Sequence, residues 1–338
     1  MRKILVTGGA GFIGSHTIVE LIASGYEPII VDNFSNSEAG AVAGIEKIIG
    51  RSVSLYKVDC CDKESFFHVF EKEKPEAIIH FAAFKAVGES VNQPLKYYHN
   101  NVGGMLNVLE AMKAFDVRHL VFSSSCTVYG QPKENPVTED SATQEATSPY
   151  GYTKQVCERM IKEFMAVNRE FNAAMLRYFN PTGAHPSGII GELPYGVPNN
   201  LVPFITQTAA GIREKLTIHG NDYDTEDGTC LRDYIHVVDL AKAHVQSLAW
   251  LEKNEGACRA FNLGTGNGDS VHKMVKVFEK VSGTSLNYAF GPRRSGDVEQ
   301  IWADPSRAHK ELLWKTELTI EDALRDSWNW QLKLAERK

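Results

Sequence analysis

The sequence predicts an α/β fold: a doubly wound parallel sheet followed by a smaller C-terminal α/β lobe. Three observations predict it. Through the first half, short apolar runs alternate with helical patterns, which is the mark of a parallel sheet covered by helices on both faces. The first run ends in a glycine cluster that opens a helix. After Pro181 the rhythm gives way to a tract rich in Gly, Pro and Asn.

The elements follow in order. "KILVTG" reads as a buried strand, and "SHTIVELIASG" as a helix that Gly25 ends. "EPIIVDN", "VSLYKVDC", "AIIHFAA" and "HLVFSSS" are further strands, each followed by a turn or helix. Long helices are predicted over 94–115 and 149–168, and "NAAMLRYFN" is a sixth strand. The first region spans 1–179 and the second 180–338. "RDYIHVVDLAKAHVQSL", about 231–250, is expected to return to the first region as a strand and a helix. "PTGAHPSGIIGELPYGVPNN" is loop. No internal repeat or low-complexity tract is visible.

Composition excludes several classes. The chain has 338 residues, 43% of them hydrophobic and 23% charged, as in an ordinary globular protein. Its formal net charge of -6 argues against nucleic acid as a partner, since phosphate binding needs a basic surface. The start, "MRKILVTGGAGFIG", runs straight into strand and loop, so no signal peptide is expected. No apolar run is long enough to span a bilayer, so no membrane partner is expected. The six cysteines, Cys60, Cys61, Cys126, Cys157, Cys230 and Cys258, form no C-x-x-C pair and no metal-ligand group with histidines. Reduced thiols in a cytoplasmic protein without a metal are the expectation.

The loop "TGGAGFIGS" satisfies G-x-G-x-x-G through Gly9, Gly11 and Gly14, and G-x-x-G-x-x-G through Gly8, Gly11 and Gly14. Glycine clusters mostly mark turns, but this one follows a strand and opens a helix. Its N–H groups can then face a pyrophosphate at the helix's positive end, the Rossmann arrangement. Asp32 ends the next strand, about twenty residues on, where a carboxylate can hold ribose hydroxyls. Asn33, Phe34, Ser35 and Asn36 include no arginine to neutralise a 2′-phosphate, which favours NAD over NADP. Asp59 stands at the next strand tip as a candidate near the adenine. Phe81, Ala82, Ala83 and Lys85 follow the fourth strand, and the small residues suit close cofactor contact.

Tyr-x-x-x-Lys occurs twice, at Tyr129/Lys133 and Tyr150/Lys154. Gly130 and Pro132 forbid a helix in the first, so its spacing carries no geometry. In "SPYGYTKQVCERMIKEF", Ser148 is a good N-cap and Pro149 a good first helical residue. Tyr150 and Lys154 then share a face one turn apart, and Tyr152 points elsewhere. Such a pair is commonly helix surface; the glycine loop tips the reading toward chemistry. Oxidising a sugar hydroxyl needs a base. A tyrosine with an ordinary pKa of about 10 costs roughly 4 kcal/mol to hold ionised near pH 7. A nearby lysine cation, an oxidised nicotinamide and a helix N-terminus all favour the anion. Strand five ends in Ser123, Ser124 and Ser125, whose hydroxyls can share that proton.

Taken together, these residues resemble the extended short-chain dehydrogenase/reductase family, and within it members that act on UDP-hexoses at sugar C4. The likeness runs nearly end to end, through "VTGGAGFIGSH", "VDNFSNS", "IIHFAAFKAVGESV", "YYHNNVGG", "FSSSCTVYG", "SPYGYTK", "LRYFNPTGAHPSG", "GVPNNLVPF", "GNDYDTEDGTCLRDYIHVVDLA", "FNLGTG" and "PRRSGD". The resemblance implies interconversion of UDP-galactose and UDP-glucose in galactose metabolism, with tightly held NAD that is not consumed. It implies transient oxidation at C4, turning of the 4-keto sugar and return of hydride to its other face. Tyr150 takes the proton, Ser125 assists and Lys154 tunes Tyr150. The cofactor is expected on Gly8, Gly11, Phe12, Ile13, Gly14, Asp32, Asn33, Asn36, Ser37, Asp59, Cys60, Phe81, Ala82, Ala83, Lys85, Asn100, Tyr150, Lys154 and Phe179. The UDP-sugar is expected on Ser125, Asn180, Asn200, Leu201, Thr217, His219, Arg232, Arg294, Asp297 and Ile301. Forked arginine donors suit a diphosphate. A homodimer built on the two long helices is implied as well.

Three departures stand out against the family pattern. His219 replaces a common aromatic near the uracil, Cys126 a common alanine. Ile301, intermediate in size, leaves open whether 2-N-acetylhexosamines are accepted. Among rivals, a 4,6-dehydratase needs an acid pair after the serines, and Cys126-Thr127 cannot serve. An NAD-sensing module without catalysis would not need Ser125, Tyr150 and Lys154 together.

Overall fold

The computed structural model describes residues 1–294 and 298–336. Its first half alternates: β1 (Lys3–Thr7), α1 (Phe12–Ala23), β2 (Glu27–Val31), α2 (Ala39–Ile49), β3 (Ser54–Tyr56), α3 (Lys63–Glu73), β4 (Ala77–His80), α4 (Val87–Asn92), α5 (Pro94–Tyr97), α6 (Gly103–Phe115), β5 (His119–Ser123), α7 (Pro149–Val167) and β6 (Asn172–Tyr178). The second half carries mostly shorter strands among its helices: β7 (Asn180–Thr182), α8 (Leu201–Ala209), β8 (Leu216–His219), β9 (Leu231–Arg232), β10 (Tyr234–His236), α9 (Val237–Lys253), β11 (Cys258–Leu263), β12 (Asp269–Ser270), α10 (Val271–Ser282), β13 (Tyr288–Gly291), β14 (Gln300–Ile301) and α11 (Ile320–Ala335).

Seven strands form one parallel sheet in the order β11-β6-β5-β4-β1-β2-β3. The order reverses between β1 and β4, and in such sheets a ligand crevice opens at that switch point. Buried on both faces, the central strands β1, β2, β4 and β5 are mostly apolar, while the edge strand β3 is largely exposed. Ile4 and Val6 face the layer that holds α1 and α9, and Leu5 faces the layer of α3, α6 and α7. A third cluster packs α8, α10 and α11 against β8 and β10 in the second half.

Two features differ from simple expectation. The run predicted over 94–115 is helical throughout, but Tyr98–Val102 forms a wide π turn between α5 and α6. There Asn101 turns inward, bonding Phe84 through its backbone N–H and C=O at 2.9 and 3.0 Å and Thr153 Oγ1 at 3.0 Å. The strand in "RDYIHVV" is β10, which pairs with β7 in a separate two-stranded sheet. β7 begins two residues after β6 ends and offers β10 a free edge. The strand that joins the main sheet is β11, beyond the 231–250 stretch, while α9 packs on the sheet beside α1.

Candidate active site

The glycine loop is shaped by close approaches. Gly8 has φ +68, and a Cβ on it would sit 2.8 Å from the Ala82 nitrogen. A Cβ on Gly14 would lie 2.3 Å from the Gly8 carbonyl oxygen, so α1 presses onto the loop only because Gly14 has none. Gly11 is the N-cap of α1 and offers no side-chain cap. The helix start therefore presents bare N–H donors and positive dipole to the crevice, over Phe12 and Ile13.

Asp32 is buried at the tip of β2. Its Oδ2 accepts from the Ala10 N–H at 3.0 Å, and its Oδ1 from the Phe34 N–H at 2.9 Å and the Ser37 hydroxyl at 2.7 Å. The acid thus also ties the glycine loop to the next turn. Asn33 Nδ2 donates to Asp59 Oδ2 at 2.9 Å, which brings the tips of β2 and β3 together. Cys60 is buried beside Gly104, Asn36 is exposed, and Asn100 donates to Asn101 Oδ1. Phe81 packs at a tilt against His244, the ring centroids 4.6 Å apart. Ala82 and Ala83 are half-buried beside it, and Lys85 pairs with Glu192 at 3.0 Å. Bare donors at a helix start, an acid at the neighbouring strand tip and no arginine in the turn after it fit NAD.

At the C-terminal edge of β5 lies a second group. Ser148 Oγ accepts from the Gly151 N–H at 3.1 Å and Pro149 starts α7, so this cap sets the turn that carries Tyr150. Tyr150 and Lys154 are 7% and 3% exposed, unlike ordinary helix-surface residues. Lys154 Nζ donates to the Ser123 carbonyl at 2.7 Å and lies 4.9 Å from the Phe122 ring centroid and 6.0 Å from that of Tyr150. Ser125 is buried and caps a short 3₁₀ turn, Cys126–Tyr129, accepting from the Thr127 N–H at 3.2 Å. Burial drives the Tyr150 phenol well above its usual pKa; the nearby Tyr178 adds to this, and a hydrogen bond with Ser125 opposes it. Burial lowers the Lys154 ammonium to about 8. The protein groups around the site thus disfavour both charges, and a cation brought beside Tyr150 would favour its ionised form.

Tyr152 is 49% exposed and packs edge-on to Tyr98. Tyr129 is buried, donating to Asn262 Oδ1 at 2.5 Å and accepting from Arg177 at 3.0 Å, a structural role away from Lys133.

Phe179, expected on the cofactor, and Ile301, expected on the UDP-sugar, share an apolar cluster with Val128, Tyr129, Val137 and Ala303, packed against Cys126. Asn180 opens β7, and Leu201 opens α8 behind Asn200. Thr217 and His219 lie on the separate β8–β13 pair, with His219 Nδ1 3.2 Å from the Pro292 carbonyl. Arg232 Nη1 donates to the Leu231 and Glu299 carbonyls, and Arg294 is exposed. Asp297 lies outside the described residues.

Sequence reading missed the supports of this site. Tyr178 bonds Ser123 Oγ at 2.8 Å beneath Lys154. Buried Asp233 accepts from Thr265, Gly266 and Ala303, tying three segments behind Arg232. An acid next to an arginine in an otherwise apolar strand was the available signal. Glu158 and Arg177 form a buried pair at 2.6 Å that also takes the Ser124 hydroxyl. Among the described residues no group of His, Cys, Asp and Glu could hold a metal.

A loop that holds a dinucleotide needs a nearby group to use it. A tyrosine and lysine buried together at the edge of the same sheet are what proton-coupled hydride transfer requires. This defines an NAD-dependent enzyme of the short-chain dehydrogenase/reductase class. Comparison with known proteins narrows it. The family model described as GDP-mannose 4,6 dehydratase matches residues 5–327. The chain is 52% identical to the UDP-glucose 4-epimerase of Bacillus subtilis (strain 168), over 97% of this chain and 96% of that one. A crystal structure of UDP-glucose-4-epimerase from Stenotrophomonas maltophila, with bound NAD and formylated UDP-arabinopyranose, superposes with a TM-score of 0.97 at 43% identity, covering 100% of both chains. One from Bifidobacterium longum in complex with NAD+ and UDP gives 0.95 at 46%, covering 98% of each. The chain belongs to the family of that model and, within it, to the UDP-glucose 4-epimerases.

Proposed function

We propose that the chain interconverts UDP-galactose and UDP-glucose, with Tyr150 as the group that removes and returns the proton of the sugar's 4-hydroxyl. NAD, when bound, supplies the acceptor and donor of the hydride at C4. The phenolate oxygen of Tyr150 holds the proton between the two half-reactions. Ser125 stands beside that phenol, opposes the rise of its pKa, and can pass the proton to or from the sugar. Lys154, held by the Ser123 carbonyl, keeps a positive charge on the tyrosine's side. Gly8, Gly11, Phe12, Ile13, Gly14, Asp32, Asn33 and Asp59 would hold the cofactor, and Arg232 and Arg294 would neutralise the diphosphate.

The observation that carries this reading is the burial of Tyr150 and Lys154 on one face of α7 against the tip of β5. The dehydratase reading is weaker, because burial pushes the Cys126 thiol up to about 12 and Thr127 is no acid. Tyr150→Phe tests the mechanism: turnover of UDP-galactose should fall roughly 10²–10⁴-fold, while unchanged turnover would exclude Tyr150 as the base.

We further assign 1–179, together with α9 and β11, to cofactor binding, and the remainder to the UDP-sugar. Two copies would pair through the outer faces of α4 to α7, where Val91, Leu95, Leu106 and Tyr152 are exposed by 59%, 79%, 49% and 49%. The six free thiols support a reducing compartment, the cytoplasm. No helix among the described residues is long and apolar enough to cross a membrane.

A further inference from the structure

The chain between β7 and α8 is tied to strand tips on both sides of the glycine loop. Its entry is buried: Ile190 is shielded from solvent and packs on α2, where a Cβ on Gly44 would lie 2.6 Å from the Ile190 side chain. The next turn is fixed to the second half. The Glu192 carbonyl accepts from Trp330 Nε1 at 3.0 Å, and the Gly196 carbonyl from Arg213 Nη2 at 2.9 Å. The side chains around these anchors stand out into solvent: Leu193, Tyr195 and Val197 are exposed by 40%, 54% and 61%. A segment with fixed ends and so little buried surface of its own opens at low cost.

Two side-chain bonds hold it to the first half. Glu192 Oε1 accepts from Lys85 Nζ at 3.0 Å, and the Tyr195 hydroxyl donates to the Ser37 carbonyl at 2.7 Å. Lys85 follows β4 and Ser37 follows β2, and β1 lies between those strands in the sheet. The two ties therefore fall on either side of the β1 tip and its glycine loop. Ser37 is also the residue whose hydroxyl donates to Asp32 Oδ1 at 2.7 Å. Partial burial raises the Tyr195 phenol above its ordinary pKa, and Glu38 and Asp32 add to the rise, so the hydroxyl stands within the field of Asp32. With half of Tyr195 in water, its hydroxyl bond is what fixes it to the turn after β2.

A dinucleotide held by the glycine loop and Asp32 and used at Tyr150 has to span the tips of β2, β1, β4 and β5. We propose that residues 192–196 form a strap along that span, with the Tyr195–Ser37 bond as its latch, and that the latch gates the entry and exit of NAD. The inference rests on the NAD reading of the glycine loop. Tyr195 is a positioning residue that acts through the turn carrying Ser37. Its bond joins two protein groups, so it opposes opening of the strap whether or not NAD is bound. Loss of the bond should speed release and uptake alike and leave affinity nearly as it was.

Release of NAD from the loaded protein tests this in wild type, Tyr195→Phe and Tyr195→Ala. Released NAD is trapped as NADH by added alcohol dehydrogenase and ethanol, and affinity is read from the free NAD at equilibrium on serial dilution. Tyr195→Phe keeps the ring and removes only the donor, which guards against misfolding. It should release NAD roughly twofold to tenfold faster, the scale of one neutral hydrogen bond, with affinity changed by less than about twofold. The kcat for UDP-galactose at saturating NAD should be unchanged, and Tyr195→Ala should release NAD at least as fast as Tyr195→Phe. A merely structural tyrosine would loosen Ser37 and Asp32 and weaken affinity in step with faster release. An unchanged release rate in Tyr195→Phe, or affinity falling in step with it, overturns the proposal. If wild type holds no NAD, the cofactor reading itself falls and the latch with it.

Discussion

Tyr150 and Lys154 are each held where their charged forms are unwelcome, and that is the chief residue-scale fact of the site. The lysine's shift has a consequence for stability. Its pKa falls from 10.5 in the unfolded chain to about 8. Above 10.5 the amine is neutral in both states and folding costs nothing on its account. As pH drops from 10.5 to 8, the unfolded chain takes up a proton that the folded chain refuses, so stability falls. Below about 8 the loss is complete and amounts to about 3 kcal/mol. Urea unfolding at pH 7 and pH 10 should therefore show wild type gaining stability relative to Lys154→Met as pH rises; parallel curves would contradict the burial of a charged lysine. The pair itself was legible, because Ser148 and Pro149 announce a helix and the helix sets the spacing. Its supports were not. Tyr178 reaches Ser123, Ser123 holds Lys154 and Glu192 holds Lys85 only through tertiary contacts, and nothing local marks them.

At the scale of elements, α7 is positioned as much from behind as by its cap. Glu158, one turn past Lys154, accepts from Arg177 of β6 at 2.8 and 2.6 Å and from Ser124 at 2.7 Å. Burial would raise the Glu158 carboxyl, but the Arg177 guanidinium overrides this and holds it below its usual range. The pair locks α7 to the β5 and β6 tips, and so fixes where Tyr150 stands. Removing one partner strands a buried charge. Glu158→Leu should cost about 3–5 kcal/mol in chemical denaturation, and a loss below 1 kcal/mol would show that the pair does not anchor the helix. Alternation of strands and helices was readable because each buried strand must be apolar on both faces. Pairing was less so. Nothing in "RDYIHVV" says that β10 will take the edge of β7, and nothing in "YYHNNVGG" announces the π turn that lets Asn101 reach Phe84 and Thr153.

For the whole molecule, the strand order switches between β1 and β4, where such sheets open a ligand crevice, and the second half reaches the segment after β4 through the Glu192–Lys85 pair. Gly, Pro and Asn in "PTGAHPSGIIGELPYGVPNN" marked that change of texture, but which loop residues reach the crevice is a matter of long-range packing. The exposed apolar side chains on α4 to α7 make the molecule a half-interface in the proposed dimer. Leu95→Asp combined with Leu106→Asp should shift sedimentation from dimer to monomer while leaving each chain folded; an unchanged sedimentation coefficient would place the interface elsewhere. The central claim, that one site oxidises and reduces the same carbon without consuming its cofactor, is tested most directly by mixing purified protein with UDP-galactose and no added NAD. UDP-glucose should accumulate to a constant ratio from either direction, with no net NADH. Absence of UDP-glucose even when NAD is supplied, or NADH formed in step with sugar consumed, would contradict it.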